Sequence, residues 1–311
     1  MAWKPEVYLP TAWQIKRDNF DHRTVPDLVR ERWNGDPASL RPISQDYNIV
    51  FRFEAEGRGY YLRVCHPVLH PLPKARQVLR FLRFLADNDV PVGMPAPSVS
   101  GRYIELLEGG YYAAAQREAP GRDMTRHMFD LSVYEAWGQS LGKLHAALRR
   151  YQPDPANEYQ FPSVQRFWEN IEPTARASSP ELQRVYAELT DYMNSLPGHD
   201  YGLIHGDYRP GNVIWDGSTA RAIDFDEPNY HWYIADVSRA LMELSDQPHE
   251  RRRAFRDAFM AGYQSEHKID DFWLTQLPQF GQHRALLMHM WDVQEGGAWS
   301  EIVRWVLNRV A

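Results

Sequence analysis

The sequence predicts an α+β chain in two parts: a β-rich N-terminal part over residues 1–115 and a larger, mainly helical part over residues 116–311. Three observations predict it. Apolar residues alternate between 47 and 67, they recur at three- and four-residue steps after 130, and a short strand-turn-strand passage interrupts the helices at 203–226.

Taken in order, "VPDLVRERW" (25–33) reads as a short helix with Leu28, Val29 and Trp33 apolar, ended by "NGDP". "YNIVFRFEAEGRGYYLRVCHP" (47–67) reads as two strands around a Gly-containing turn. Ile49, Phe51 and Phe53 share one face, as do Tyr60, Leu62 and Val64, which puts Arg63 on the opposite face. "KARQVLRFLRFLADNDV" (74–90) is helical, with Val78, Leu82 and Leu85 in one stripe beside Phe81. "PVGMPAP" stops it, and "SGRYIELLEGGYYAAAQRE" reads as another hairpin. After "APGRD" the pattern turns helical: Val133, Trp137, Leu141, Leu144 and Leu148 within 130–150, then 181–196, then "HERRRAFRDAFMAGY" onward.

Among 311 residues, 43% are hydrophobic and 24% charged, ordinary for a globular chain. A formal net charge of −6 disfavours a nucleic-acid partner, which wants a basic face. A lone cysteine, Cys65, excludes an internal disulfide, reads as a packed thiol and suits a reducing cytoplasm. No secretory signal is evident in "MAWKPEVYLP", and no apolar run reaches the roughly 18 residues of a membrane span. The expectation is a cytoplasmic protein with no membrane or nucleic-acid partner and an oligomeric state the sequence leaves open.

Chemistry concentrates in "LIHGDYRPGNVIWDGSTARAIDFD" (203–226). "VIW" and "ARAID" flank the turn "DGST", so a hairpin carries Asn212 and Asp224 to the same end. Asp207 lies on the preceding loop, stiffened by Pro210 and made permissive by Gly211. Converging oxygen donors without a Cys or a His pair suit a hard cation such as Mg²⁺, whose shell water and phosphates complete. In phosphoryl-transfer sites the Asp of an H-x-D-x-x-x-x-N pattern accepts the proton of the attacking hydroxyl, while its Asn and a later Asp-Phe hold metal. "HGDYRPGN" fits that spacing, and "DFD" stands where D-F-G is found.

With "HGDYRPGNVIWDG" followed by "AIDFDEPNYHWYIADVSRALMEL", the chain resembles the aminoglycoside phosphotransferase-like, protein-kinase-like superfamily of small-molecule kinases, and a bacterial phosphotransferase branch of it in particular. "YYLRV", "APGRD" and "FRDAFMAGY" also match that branch, so the resemblance covers most of the chain. It implies a two-lobed protein-kinase-like fold and transfer of phosphate from ATP, with Mg²⁺, to a hydroxyl of a small molecule of aminoglycoside, amino-alcohol or sugar type. It further implies that Asp207 is the catalytic base, Asn212 and Asp224 hold the metal, and His205 orients the loop that Asp236 braces. Arg63 would grip phosphate, and Gln116, Glu118 and Ala119 would meet the adenine. Arg209, Asp226, Glu227, Tyr230 and Trp232 would stand near the acceptor.

Three departures from the family pattern stand out. The phosphate-gripping strand residue is Arg63 in place of Lys. The helix position of its Glu partner reads as Val78, with Gln77 beside it, which leaves Glu105 as a substitute or the nucleotide alone to hold Arg63. No glycine-rich loop is present, and "SQDYNIV" takes its place. These keep two alternatives open: a catalytically degenerate nucleotide binder, and a protein Ser/Thr kinase for which the stretch from Asp224 to Val237 leaves little room. Trp232, Tyr233, Trp273, Trp291, Trp299 and Trp305 read as core more than as pocket wall, "HERRRAFR" as a solvated face, and His145, His283 and His289 as core or surface histidines without metal-ligand spacing.

Overall fold

The computed structural model describes residues 11–45 and 48–294. Asp46 and Tyr47 of the "SQDYNIV" turn, the "MAWKPEVYLP" start, Trp299 and Trp305 lie outside the described residues. Two compact units emerge: the described residues up to Pro120 with Pro153–Gln160, and Gly121–Gln152 with the described residues from Phe161 onward.

In the first unit, α1 (Thr11–Asp18) and α2 (Val25–Trp33) precede a six-stranded antiparallel sheet. Its strands are β1 (Asp36–Gln45), β2 (Ile49–Ala55) and β3 (Arg58–Cys65), then, after α3 (Leu72–Asp87), β4 (Pro95–Ala96), β5 (Glu105–Leu106) and β6 (Tyr112–Arg117). The order is β1-β2-β3-β6-β4, with β5 also on β6. The alternation places Ile49, Phe51, Phe53, Leu62 and Val64 in one core with Trp13, Val29 and Trp33. β1 shows no buried alternation that would mark it as a strand. Pro37 and Pro42 cannot donate to a ladder, so this strand survives only at the sheet edge, where its pairing with β2 shifts register twice.

α3 corrects the expected stripe. Gln77, Phe81, Leu82 and Leu85 are buried, whereas Val78 is only half-buried. The inward row therefore runs 77–81–85, and Gln77, not Val78, is the residue this helix turns into the unit. Neither amide atom of Gln77 has a hydrogen-bond partner among the described residues.

The second unit begins with β7 (Arg122–Asp123) and α4 (Tyr134–Leu148), followed by α5 (Val164–Arg176) and α6 (Pro180–Ser195). Then come β8 (Tyr201–Ile204), β9 (Val213–Trp215), β10 (Ala220–Ala222) and β11 (Asn229–Trp232), and the chain closes with α7 (Ile234–Leu241), α8 (His249–Glu266) and α9 (Leu277–Gln294). β10, β9 and β7 form one small sheet, β11 and β8 another. The α4–α8 pair crosses almost backbone to backbone. A Cβ on Gly138 would stand 1.8 Å from the Phe259 carbonyl oxygen, and one on Gly262 1.8 Å from that of Glu135. Gly262→Ala should therefore cost about 1–3 kcal/mol by overpacking, more than the ~1 kcal/mol that helix propensity returns. An unchanged or raised denaturation midpoint would show that the crossing yields without cost. No described helix is long and apolar enough to cross a membrane.

Candidate active site

The site is built on the loop between β8 and β9. Gly206 makes its turn in the left-handed region (φ 88°), and a Cβ there would meet the Glu227 carbonyl oxygen at 2.0 Å. The freedom of glycine is thus spent at Gly206 and not at Gly211, which has no positive φ. Pro210–Asn212 then form one tight helical turn leading into β9. The register Val213↔Ala222 continues one step outward, where the Ile223 N–H donates to the Asn212 carbonyl at 2.9 Å. That bond sets Asp224, one residue further on, beside the entry of β9. Asp224 is exposed and holds a left-handed backbone (φ 63°), a conformation that costs a non-glycine residue roughly 1 kcal/mol and recurs at functional sites.

Asp207 lies at the centre, its side chain 17% exposed. Its Oδ2 accepts from Asn212 Nδ2 at 2.9 Å and from Arg209 Nε at 3.1 Å. Its Oδ1 accepts from Arg239 Nε at 2.7 Å and Arg284 Nη2 at 3.3 Å. Burial alone would push this carboxyl up. The guanidinium charges of Arg239, Arg284 and Arg209 outweigh it and hold the group well below the usual carboxylate range. Arg284 in turn donates through Nη1 to Glu227 at 2.8 Å and lies 5.7 Å over the Trp291 ring. The spacing pattern did not reveal Arg239 and Arg284, because they come from α7 and α9.

Asn212 is 3% exposed, and its Nδ2 donates to both the carbonyl and the carboxylate of Asp207 at 2.9 Å. With its N–H groups committed, the amide has Oδ1 left for a cation. Asn212 Oδ1 and the Asp224 carboxylate are two hard donors. Among the described residues there is no cluster of three or more His, Cys, Asp or Glu that would cage a metal. Two hard oxygen donors suit a hard cation such as Mg²⁺, whose shell water and substrate phosphates would complete.

His205 is fully buried. Its Nε2 donates to the Ile223 carbonyl at 3.1 Å, and its Nδ1 accepts the Asp207 N–H at 3.3 Å, so the ring ties the loop to the hairpin. Phe225 packs on it at 4.3 Å. Asp236, in the first turn of α7 and 1% exposed, accepts the N–H groups of His205 (2.8 Å) and Gly206 (2.9 Å) and Nε2 of His145 (3.1 Å). Burial lowers the pKa of His145 despite the hydrogen bond to Asp236, and Tyr263 bonds its other nitrogen at 2.8 Å.

The remaining expected residues are placed as follows. Tyr230 and Asp226 are half-buried. Trp232 is a correction: it is 4% exposed, its Nε1 donates to the Pro197 carbonyl at 2.8 Å, and it packs with Trp273 and Phe280, so it is core and not an acceptor contact. In the first unit, half-buried Arg63 sits in β3 between Val50 and Ala114. Glu105 pairs with Ala113, the neighbour of Ala114, so its side chain leaves the opposite face of the sheet. Its carboxylate is taken by Arg102 at 2.9 Å and by Ser98 and Ser100, which argues against Glu105 as the substitute partner of Arg63. Glu118 binds Arg52 (2.8 Å), and its N–H goes to the Gly59 carbonyl. Gln116 pairs with Tyr61 and Pro95, and Ala119 follows the end of β6.

A family model described as the phosphotransferase enzyme family matches residues 39–273. Amicoumacin kinase of Bacillus subtilis (strain 168) is 26% identical over 289 residues, covering 87% of this chain and 84% of the relative. Among solved structures, an amicoumacin kinase in complex with AMP-PNP, Ca²⁺ and amicoumacin superposes with a TM-score of 0.81 at 22% identity, over 96% of this chain and 94% of the other. A microcompartment-associated aminopropanol kinase gives a TM-score of 0.71 at 21% identity, over 93% and 94%. A spectinomycin phosphotransferase with ADP gives 0.62 at 16%, over 89% and 88%.

Proposed function

The chain belongs to the phosphotransferase enzyme family, and on that premise we propose that it moves the γ-phosphoryl group of ATP, with Mg²⁺, onto a hydroxyl of a small molecule. The observation that carries the reading is the Asp207–Asn212 pair. One amide is fixed by two hydrogen bonds to the candidate base, which leaves its oxygen to a cation.

The acceptor hydroxyl gives its proton to Asp207 as its oxygen bonds phosphorus, and the bond from phosphorus to the leaving ADP oxygen breaks. An ionised carboxylate held by three guanidiniums is a weak base. That suffices here, because the transition state is loose and positioning outweighs basicity. Arg239 and Arg284 fix the carboxylate, while Arg209, 41% exposed, stands at the loop surface towards which an acceptor comes. A cation on Asn212 Oδ1 and Asp224 would neutralise phosphate charge. Arg63 would bind phosphate, and the segment of Gln116, Glu118 and Ala119 at the end of β6 would meet the base. Glu227, Asp226 and Tyr230 are the acceptor contacts in this reading. Acceptors of aminoglycoside, amino-alcohol or sugar type accord with the relatives, and cytoplasmic ATP is the phosphate source.

The test is thermal stabilisation by ATP with and without Mg²⁺, on wild type and Asp224→Ala. Ligand at 100 times its dissociation constant adds about 2.7 kcal/mol. The expected result is a clear rise in Tm that needs Mg²⁺ and disappears in the variant. A full shift in Asp224→Ala removes that residue from the metal site, and no shift in wild type at millimolar ATP overturns the kinase reading.

A further inference from the structure

A second concentration of charge lies in the first unit, on residues the proposed reaction does not use. A cleft of about 670 Å³ is lined by Arg32, Arg76, Arg80, Arg83 and Arg102. Three of these come from α3, at steps of four and three, so they share one exposed helix face outside the buried row 77–81–85. Arg32 comes from α2 and Arg102 from the segment before β5. Leu79, Tyr103 and Ile104 supply an apolar lining, and Arg83 lies 4.7 Å over the Tyr103 ring.

The acids do not balance this. Glu105, 2% exposed, answers Arg102 at 2.9 Å, and Asp154 answers Arg80 at 3.0 Å. Arg32, Arg76 and Arg83 form no ion pair among the described residues. Five cations against two anions leave an excess of three positive charges at one cleft, in a chain whose formal net charge is −6. Like charges gathered without partners repel one another and contribute nothing to folding. Guanidiniums are, however, the side chains best matched to phosphate oxygens.

We infer that this cleft binds a small, multiply phosphorylated ligand, with its phosphates on Arg32, Arg76 and Arg83 and its carbon skeleton against Tyr103, Leu79 and Ile104. Size and shape favour a metabolite over a nucleic acid. The volume falls in the usual range of a small-molecule pocket, roughly 300–1,000 Å³, and the apolar lining of Leu79, Tyr103 and Ile104 gives a compact carbon skeleton a place to rest.

The experiment is isothermal titration of the whole chain, saturated with AMP-PNP and Mg²⁺, with inorganic tripolyphosphate brought to the same free Mg²⁺, the heat of injection into buffer without protein being subtracted, so that a nucleotide site stays filled. Wild type is compared with Arg76→Gln/Arg83→Gln. Both residues are exposed, so the double variant removes no buried contact, and its Tm should stay level or rise as repulsion is relieved. Saturable one-to-one binding is expected, weakened by added salt. The double variant should weaken it about tenfold or more, the value of a lost charge-assisted hydrogen bond. No heat at millimolar tripolyphosphate, or equal affinity in the variant, overturns the inference. A single-stranded RNA that binds more tightly than tripolyphosphate, and is lost in the same variant, overturns the assignment to a small ligand. Because the nucleotide is present in every titration, failure here leaves the kinase reading where its own test puts it.

Discussion

Asp207→Asn should lower kcat by about 10²–10⁴-fold, the usual contribution of a positioned general base. The amide matches the carboxylate in shape but brings an NH₂ donor into a shell made of donors: Arg239 at 2.7 Å, Asn212 at 2.9 Å, Arg209 at 3.1 Å and Arg284 at 3.3 Å. One half of the amide must face a guanidinium with like polarity, and three cations lose their common anion. Arg239 is 9% exposed and Arg284 16%, so part of that loss falls on buried charge, and a fall in Tm should accompany the fall in rate. The two effects separate by measurement. On the proposal that Asn212 and Asp224 hold the metal, stabilisation by ATP and Mg²⁺ should persist in the folded fraction, whereas turnover should not. Wild-type turnover in a folded Asp207→Asn protein would remove the residue from the reaction.

The loop that makes this prediction possible was legible because its determinants are local. His205, Asp207, Asn212 and Asp224 lie within one loop and one hairpin, and strand register alone carries Asp224 to Asn212. The pair of alternating strands at 47–67 was legible for the same reason. Arg239 and Arg284 were not, because they reach Asp207 across 32 and 77 residues and sit in helices whose polar residues ordinarily face water. One signal was present. Arg239 follows Asp236 by three positions on α7, so the residue that braces the loop and the residue that grips its carboxylate share a helix face. β1 was hidden by its two prolines, which argue against a strand until the edge position is known. On α3, the apolar reading preferred Val78 where the structure buries Gln77, a polar residue that no periodicity count selects.

Acidification should destabilise the fold steeply between pH 6.5 and 5, before most carboxylates titrate. Burial pushes His267 and His283 down to about 3, helped by His145 and Arg149 beside the first and Arg284 beside the second. They are 3% and 2% exposed. In the unfolded chain a histidine titrates near 6.5. Above that value both states are neutral and pH has no hold on these groups. Below it the unfolded chain takes up protons that the folded chain refuses, so stability falls with falling pH until the folded value near 3 is reached. By pH 5 each site costs about 2 kcal/mol, and the two together about 4 kcal/mol, against a typical total of 5–15. His145, His231 and His289 are displaced in the same direction, chiefly by burial, and steepen the loss. Glu105 and Glu118 have lowered carboxyl values and yield only below the normal range of glutamate, so they belong to a separate, more acidic window. Urea midpoints at pH 7.5, 6 and 5 read the slope. His283→Phe keeps an aromatic ring against Trp168, which stacks at 4.3 Å, and removes one titrating site. The variant should lose less stability than wild type over this interval, whatever its stability at pH 7.5. Parallel slopes would mean that His283 is protonated in the folded state and that the acid response arises elsewhere.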